Sequence, residues 1–343
     1  MRVRAGAGRG VPYSACMDAS TEPALLCIDW GTSNRRAWWL AADGRVLAEA
    51  SDDQGLLASQ GRFPHALQVL MQAGPTLRAD APILMAGMVG AASGWREAPY
   101  MDSRDALTEL ARHVVPVPAS GAGAGAGAGA CIVPGVCHTA PDGSVDVMRG
   151  EETQLLGALA LGHGDGWYVL PGTHSKWVKL HNSRVADLAT YMTGELFALL
   201  TQHGTLSSVT RSSQQDAPDG TPPAIPRETP PDAFARGVAA ASRSGLSNAL
   251  FGCRAQVVAG RMPASEAREY LSGLLIGAEW HDVVRRAGRP PEHITLIGVA
   301  ALAQRYARVA AAAGCRITTL DARDVQLAAF RALFGALPPV PGG

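Results

Sequence analysis

The stretch of sequence that decides the fold is IDWGTSNRR at residues 28–36, together with its echo VLPGTHSKW at residues 169–177. Each copy has an apolar strand-like run, then Gly-Thr, two polar residues, a basic residue and a second strand-like run. A glycine at such a bend lets the backbone approach an anion closely, and the nearby backbone N–H and hydroxyl groups can donate to phosphate oxygens. The echo predicts two phosphate-binding turns that hold one nucleotide between two lobes.

The predicted phosphate contacts are the bend residues themselves. Asp29, just before the first bend, is the candidate metal ligand, because Mg²⁺ keeps most of its waters and takes only one or two carboxylates. A single Gly-Thr bend, or an aspartate beside it, is also ordinary turn chemistry. The chain has neither a Walker-type nor a dinucleotide-binding glycine motif. The predicted contacts are Gly31, Thr32, Ser33 and Asn34 in the first turn and Gly172, Thr173 and His174 in the second.

Composition narrows the class of protein. The 343 residues carry 30 Lys plus Arg against 30 Asp plus Glu, and 47% of them are hydrophobic. Zero net charge argues against a nucleic-acid binder, and no apolar run reaches the roughly 20 residues that a membrane span needs. The six cysteines include no C-x-x-C pair, which is typical of reduced thiols. We therefore expect a cytoplasmic protein with no nucleic-acid or membrane partner, and the histidine spacing predicts no zinc site.

The order of elements predicts an α/β protein with mixed sheets. Strand-like runs alternate with helix-like runs, and the pairs within 37–50 and 176–189 are hairpins around turn residues. Other strands are expected at 24–28, 83–89, 131–136, 145–148, 167–170 and 295–297, and helices at 64–72, 151–161, 194–202, 264–287 and 300–313.

The predicted domain organisation is an unstructured tail over residues 1–23, an N-terminal lobe over 24–164 and a C-terminal lobe over 165–336. The tail lacks the apolar core of a signal peptide, and Met17 is an alternative start. The Gly-Ala alternation at 121–130 and the Pro-rich stretch at 210–231 are interpreted as flexible insertions.

Seven blocks of the chain form an unusual combination: IDWGT (28–32), MAGMVG (85–90), GWREAPY (94–100), VMRGEETQ (147–154), LPGTHSKW (170–177), MTGE (192–195) and LSGLLIG (271–277). Together they resemble the 2-dehydro-3-deoxygalactonokinase family. The resemblance covers about residues 25–334 and implies a two-lobed actin/hexokinase-like fold with a nucleotide cleft. It also implies transfer of a phosphoryl group from ATP to the 6-hydroxyl of 2-dehydro-3-deoxy-D-galactonate in D-galactonate breakdown.

The resemblance also implies a catalytic base. Related sugar kinases carry a carboxylate, usually aspartate, at a helix start just before the second phosphate turn, and Glu151 takes that place here. An ionised carboxylate can accept the proton of the acceptor hydroxyl, and a helix N-terminus keeps it ionised. Asp146 and Glu152 remain alternatives, and both glutamates would also suit a first helical turn for purely structural reasons.

The acceptor is an anionic keto acid, so a cationic clamp is expected, because a guanidinium binds a carboxylate in bidentate fashion. Arg149, beside Glu151, and Arg96 are the candidates, although Arg96 could instead form a surface ion pair with Glu97. Thr193 and Glu195 are expected to bind acceptor hydroxyls or to organise the cleft. Gly298, in LIGVA at 296–300, takes the place of the adenine-binding turn of related kinases.

Three rival functions stay open at this point. A kinase for a neighbouring acid, such as 2-dehydro-3-deoxygluconate, would differ only in recognising one hydroxyl configuration. A phosphatase or ATPase of the same fold would need no sugar acceptor. A nucleotide-dependent chaperone or filament protein would need added domains or polymer surfaces, which the sequence does not show. The expected partners are a small sugar acid and ATP, and the sequence leaves open whether the chain forms a homo-oligomer.

Overall fold

The computed structural model describes residues 2–5, 22–117, 129–210 and 232–337. These residues fall into two compact units. The first unit lies within Met1–Asp165, Leu180–Asp187 and Ala322–Gly343, and the second within Gly166–Lys179 and Leu188–Asp321. Among the described residues, no helix is both long enough and apolar enough to cross a membrane.

The strands and helices alternate along the described chain. The strands are β1 (Arg2–Ala5), β2 (Leu25–Trp30), β3 (Arg35–Leu40), β4 (Val46–Asp52), β5 (Ile83–Gly87), β6 (Met101–Asp102), β7 (Val115–Val117), β8 (Ala130–Ile132), β9 (Val136–Thr139), β10 (Val145–Met148), β11 (Gly166–Leu170), β12 (Ser175–His181), β13 (Arg184–Tyr191), β14 (His293–Ile297) and β15 (Arg316–Leu320). The helices are α1 (Leu56–Ser59), α2 (Phe63–Ala73), α3 (Glu151–Ala160), α4 (Thr193–Gln202), α5 (Gly204–Thr210), α6 (Ala233–Ala241), α7 (Leu246–Val258), α8 (Ala267–Ala287), α9 (Ala300–Ala312) and α10 (Ala322–Ala336).

The first unit is built on a mixed sheet of order β1-β4-β3-β2-β5-β8-β7. Its centre is β2, which pairs antiparallel with β3 and parallel with β5. The β3–β4 hairpin forms because Gly44 adopts a φ of 81°, which only glycine tolerates easily. Ile28, Trp30, Trp39 and Met85 are fully buried in the core of this unit. The strand that ends at the first predicted turn is thus anchored on both sides.

A smaller sheet and a helix pair complete the first unit. The sheet has the order β10-β9-β6, and β10 leads directly into α3. The last helix, α10, packs closely on α3, because a Cβ added at Gly157 would lie only 1.9 Å from the carbonyl oxygen of Val325. That contact explains why α10 joins the first unit, whereas residues up to 336 were expected in the second lobe.

The second unit is built on a sheet of order β13-β12-β11-β14-β15, in which β11, β14 and β15 run parallel. The carboxyl ends of β11 and β14 therefore lie at the same edge of the sheet. On one face, α6 and α8 approach so closely that a Cβ at Gly273 would lie 2.0 Å from the carbonyl oxygen of Phe234. The small residues of the LSGLLIG block thus serve helix packing inside the unit.

Several predictions of secondary structure need correction. Residues 2–5 form a strand paired antiparallel with β4, although the whole tail was expected to be unstructured. The expected strand at 131–136 is two strands in different sheets. Gly135 lies between them, where a Cβ would be 2.5 Å from the carbonyl oxygen of Met148. The proposed start at Met17, most of the Gly-Ala alternation and nearly all of the Pro-rich stretch lie outside the described residues. The α/β class and the mixed sheets are confirmed.

Candidate active site

The first predicted turn is the connection between β2 and β3. It is closed by a hydrogen bond of 2.9 Å from the Gly31 N–H to the Asn34 carbonyl. The carbonyls of Gly31 and Thr32 accept hydrogen bonds from the N–H groups at the start of α1, at 2.9 and 3.2 Å. Thr32, Ser33 and Asn34 remain exposed. The turn is therefore held from behind by backbone, while its other face is open to a ligand.

Asp29 is partly exposed at the end of β2, next to this turn. Burial of its surroundings raises the pKa of the carboxyl to about 6; Arg36 lowers the pKa, and the negative charge of Glu151 raises it. Gly87, with a φ of 91°, lies beside the carboxylate, and a Cβ there would be 3.5 Å from Oδ1. A cation placed next to Asp29 would offset both the desolvation and the repulsion from Glu151.

The start of α3 brings Glu151 to this neighbourhood. Gly150 precedes the helix with a φ of 106°, and a Cβ there would lie 3.3 Å from the Cα of Gly87. Glu151 is partly exposed, and its Oε2 accepts a hydrogen bond of 3.1 Å from the Arg149 N–H. Its charge acts on Asp29, so the two carboxylates form one electrostatic pair. The structure thus brings together two of the predicted site residues, one the candidate base and the other the candidate metal ligand.

The two alternative bases occupy different surroundings. Glu152 is fully buried, and its carboxylate accepts hydrogen bonds from the Gly150 N–H at 2.7 Å and from the Thr153 hydroxyl at 2.8 Å. Burial and, to a smaller extent, the charge of Glu151 raise the pKa of Glu152 to about 8, although these hydrogen bonds act in the opposite direction. Asp146 lies on β10, where its Oδ1 accepts a hydrogen bond of 2.7 Å from the N–H of the following residue. Of the two glutamates at the helix start, only Glu151 is exposed enough to meet an acceptor.

The two candidate arginines differ sharply in environment. Arg149 is buried, donates to the Ala98 carbonyl at 2.8 Å and stacks over the Tyr100 ring at 4.3 Å. Its Nε and one terminal nitrogen are buried with no hydrogen-bond partner among the described residues. Arg96 is exposed and donates to the Pro116 carbonyl at 2.6 Å, rather than pairing with Glu97 in the contacts seen. Arg149 is therefore a buried cation that forms no ion pair with any other described residue.

The second predicted turn connects β11 to β12, and Gly172, Thr173 and His174 are exposed there. The first turn of α4 holds it in place. The Glu195 N–H donates to the Thr173 carbonyl at 3.0 Å, and the Glu195 carboxylate lies 2.6 Å from His174 Nε2. A Cβ at Gly194 would be 2.3 Å from the Gly172 carbonyl oxygen, so only glycine permits this approach.

The contacts of Thr193 and Glu195 favour a role in holding the second turn. Thr193 starts α4 and hydrogen-bonds through its side chain to Glu279, and Glu195 contacts His174. Their expected role in binding acceptor hydroxyls stays a prediction. Gly298 follows β14, and a Cβ there would be 3.4 Å from the ring of Pro171, just before the second turn. These residues and the second turn therefore form one neighbourhood inside the second unit.

A pocket of about 180 Å³ lies against the second turn. Gly172 and Gly194 form one side, while Phe197, Arg268 and Arg305 come from three different helices. Arg268 stacks on the Phe197 ring at 4.8 Å, and Arg305 forms a two-point ion pair with Glu269 at 2.7 and 2.9 Å. Sequence reasoning missed these three residues, because no local motif links positions so far apart in the chain.

The described residues contain no cluster of three or more His, Cys, Asp or Glu side chains that would form a complete metal site. A pair of carboxylates is nevertheless what a Mg²⁺ ion bound mainly by phosphate and water requires. Asp29 and Glu151 supply such a pair beside an open turn. The side chains therefore fit a nucleotide-bound Mg²⁺ better than a metal held by the protein alone.

Comparison with known proteins gives concordant results. A family model described as 2-keto-3-deoxy-galactonokinase matches residues 29–333. The 2-dehydro-3-deoxygalactonokinase of Escherichia coli strain K12 is 34% identical over 314 residues, which cover 91% of this chain and 98% of that protein. A crystal structure from Sinorhizobium meliloti, described as a protein of the same kind, superposes with a TM-score of 0.78 at 33% identity, covering 92% of this chain and 99% of that one.

Proposed function

The chain belongs to the 2-keto-3-deoxy-galactonokinase family, and on that premise we propose that it transfers the γ-phosphoryl group of ATP to the 6-hydroxyl of 2-dehydro-3-deoxy-D-galactonate. The observation that carries the proposal is the carboxylate pair of Asp29 and Glu151 beside the exposed first turn. Phosphoryl transfer needs positioned phosphates, a cation and a base at the acceptor hydroxyl. Asp29 would hold the cation, and Glu151 would be the base.

Glu151 accepts the proton of the 6-hydroxyl as that oxygen attacks the γ-phosphorus. Its carboxylate is held by the hydrogen bond from the Arg149 N–H, so it is oriented before the acceptor arrives. A base of this kind contributes a factor of about 10² to 10⁴ to the rate.

Asp29 is the carboxylate that would hold a Mg²⁺ ion carried by the nucleotide. When bound, such an ion neutralises charge on the β- and γ-phosphate oxygens. Asp29 itself must be ionised to bind the ion, and its raised pKa means that this carboxylate gains more from a cation than an exposed aspartate would.

Each turn, within its own unit, offers donors that suit the phosphate oxygens of ATP. In the first unit, the exposed donors are the N–H and hydroxyl groups of Thr32, Ser33 and Asn34. In the second unit they are those of Thr173 and His174, with His174 oriented by Glu195. Exposed N–H groups at successive positions of a bend form a concave anion site.

The pocket beside the second turn binds the adenosine moiety. It adjoins Gly172, so a nucleoside seated there would lead its phosphates towards the turn. Phe197 offers an aromatic face, and Arg268 and Arg305 offer planar guanidinium groups held by neighbours. Planar aromatic and guanidinium surfaces stack well on a purine.

Arg149 attracts the carboxylate of the acceptor. Leaving a buried cation without an anion is costly, so binding an anionic ligand nearby is favoured. The two unpartnered nitrogens are enclosed, and a bidentate contact therefore requires the segment around Tyr100 to move when the acceptor binds. Arg96, exposed and tied to a backbone carbonyl, remains the alternative clamp.

The experiment that tests the function measures ADP release from ATP with a panel of sugar acids. Turnover with 2-dehydro-3-deoxy-D-galactonate, and much less with 2-dehydro-3-deoxy-D-gluconate, is the expected result. Faster turnover of the gluconate isomer would show that the chain is a kinase whose substrate is 2-dehydro-3-deoxy-D-gluconate. ADP release that does not depend on any acceptor would overturn the kinase assignment in favour of an ATPase.

A further inference from the structure

The carboxylate of Glu279 on α8 is buried and has no role in the mechanism above. Its side chain is 1% exposed. Oε2 accepts hydrogen bonds from the Ser175 hydroxyl at 3.0 Å and from Trp177 Nε1 at 2.8 Å. The Tyr306 hydroxyl lies 2.9 Å from Oε1, and the Thr193 side chain also bonds to this carboxylate. One side chain thus joins β12, α4 and α9 to α8.

The chemistry of these partners favours an ionised carboxylate. An ionised carboxylate only accepts hydrogen bonds and offers about four acceptor positions, which matches the four side chains that surround it. Trp177 can only donate, so it fixes one oxygen as an acceptor. Burial raises the pKa of Glu279 above its usual value, and the hydrogen bonds from Thr193, Trp177, Tyr306 and Ser175 only partly oppose this rise.

The hydrogen-bond network around Glu279 lies next to the second turn, which is proposed to bind ATP phosphates. Ser175 directly follows His174 at the end of the second turn. Thr193 directly precedes Gly194, whose backbone rests on Gly172. Thr193 and Tyr306 also line the pocket proposed for adenosine. The carboxylate of Glu279 therefore lies behind both sides of the second turn and behind one wall of the pocket.

We propose that Glu279 is a positioning residue that fixes the second turn and the adjoining pocket wall in the geometry that binds ATP. It acts through Ser175, Thr193 and Tyr306 and does not itself touch the nucleotide. The proposal rests on the proposed binding of ATP phosphates by the second turn. A misplacement of about 1 Å in a positioned site can lower the rate by about 10²-fold, so a shift of this turn has a measurable effect.

The test compares Glu279→Gln with Tyr270→Phe. The glutamine keeps the shape of the side chain but replaces one acceptor oxygen by an NH₂ group, which cannot accept hydrogen bonds from the surrounding donors. Tyr270 lies on the same helix, and its hydroxyl accepts a hydrogen bond of 2.9 Å from Gln256, away from the turn. Both variants remove a buried polar contact of α8, so the control accounts for a general loss of helix packing.

For Glu279→Gln we expect the KM for ATP to rise about tenfold or more, while the KM for the sugar acid changes less than about twofold. Tyr270→Phe should lower the melting temperature to a similar extent without the change in the KM for ATP. Equal KM values for ATP in the two variants would overturn the proposal, because the network would then be structural only.

Two further variants keep the test decisive if Glu279→Gln does not fold. Ser175→Ala and Tyr306→Phe each remove one hydroxyl from the carboxylate, and each should raise the KM for ATP on its own. Normal KM values in both would contradict the positioning role.

Gly194→Ala separates this outcome from failure of the proposed function. If Gly194→Ala weakens ATP binding while the network variants do not, only the role of Glu279 is wrong. If Gly194→Ala also binds ATP normally, the nucleotide role of the second turn is wrong, and the positioning proposal falls with it.

Discussion

Among the individual side chains, three carboxylates close in space have different environments and therefore different roles. Glu151 and Glu152 are neighbours in sequence, yet the first is partly exposed and the second is fully buried. Asp29 lies close enough to Glu151 for its pKa to rise. Exposure, rather than residue type, thus separates the candidate base from the structural glutamate.

The raised pKa of Asp29 predicts a pH-dependent requirement for Mg²⁺. Only the ionised carboxylate binds the ion, so protons compete with Mg²⁺ once the pH falls to about 6. We expect the Mg²⁺ concentration that gives half-maximal activity to rise steeply between about pH 7 and pH 5. Asp43→Asn, which changes an exposed hairpin aspartate, should behave like the wild type. A Mg²⁺ requirement that stays flat over this range would exclude Asp29 as a ligand.

The raised pKa of Asp29 also determines how this residue contributes to the free energy of unfolding when no metal is bound. The pKa in the folded state is about 6 and the unfolded value is about 4, so the folded chain holds this proton more tightly. The contribution of Asp29 to the free energy of unfolding therefore decreases as the pH rises from about 4 to about 6. Asp29→Asn should remove that decrease, which chemical denaturation at several pH values would measure.

The buried charge of Arg149 predicts that its replacement weakens binding of the sugar acid without lowering the stability of the protein. Two nitrogens of the buried Arg149 guanidinium have no hydrogen-bond partner among the described residues, and burying such groups costs free energy. Arg149→Met should therefore leave the melting temperature unchanged or higher, while the KM for the sugar acid rises about tenfold or more. Arg104→Ala, which removes an exposed arginine paired with Asp102, serves as the control. If only Arg96→Ala raises the KM for the acid, the clamp is Arg96.

Among the helices and strands, close glycine contacts decide how the site elements meet. Gly194 lets α4 rest on the second turn, where a Cβ would lie 2.3 Å from the Gly172 carbonyl oxygen. Gly194→Ala should push the turn away and raise the KM for ATP about tenfold or more. Gly252→Ala on α7, where a Cβ would meet nothing within 4 Å, should leave the KM unchanged. Equal KM values in the two variants would contradict the role of this contact.

The contact between α3 and α10 gives a prediction about stability. Gly157→Ala places a Cβ 1.9 Å from the Val325 carbonyl oxygen, and overpacking of this kind costs about 1 to 3 kcal/mol. Gly335→Ala, in α10 but in open space, should instead stabilise the chain by about 0.4 to 1 kcal/mol. Urea denaturation of both variants measures the difference. Similar free energies of unfolding would show that α10 does not pack on α3 as described.

The elements that sequence patterns predicted are those with local signals. The β3–β4 hairpin follows from Asp43-Gly44, and α3 follows from the acidic first turn at Glu151. The split of residues 131–136 into two strands was missed because it depends on which sheet each half joins. Helix α7 was missed because it exposes Phe251 and Val258 and so lacks a clear apolar stripe. The spacing of Val325, Phe330 and Leu333 could have revealed α10.

For the chain as a whole, the predictable part of the site is the part encoded in contiguous segments. Both turns, Asp29 and Glu151 lie in short motifs, so they can be proposed as site residues from the sequence and from the resemblance that the motifs carry. The pocket side chains and the Glu279 network cannot, because their residues come from elements far apart in sequence and meet only in the folded unit. Burial, which distinguishes Glu152 from Glu151 and Arg149 from Arg96, is likewise a property of the fold and cannot be read from a motif.

The most direct measurement is the turnover of Glu151→Gln with ATP and 2-dehydro-3-deoxy-D-galactonate, alongside the Kd for ATP. We predict that kcat falls by about 10² to 10⁴ while the Kd for ATP stays within about twofold of the wild type. Asp146→Asn, measured in parallel, should keep near-normal turnover. Near-normal turnover of Glu151→Gln would contradict the account, and a large loss in Asp146→Asn in the same experiment would identify the base as Asp146.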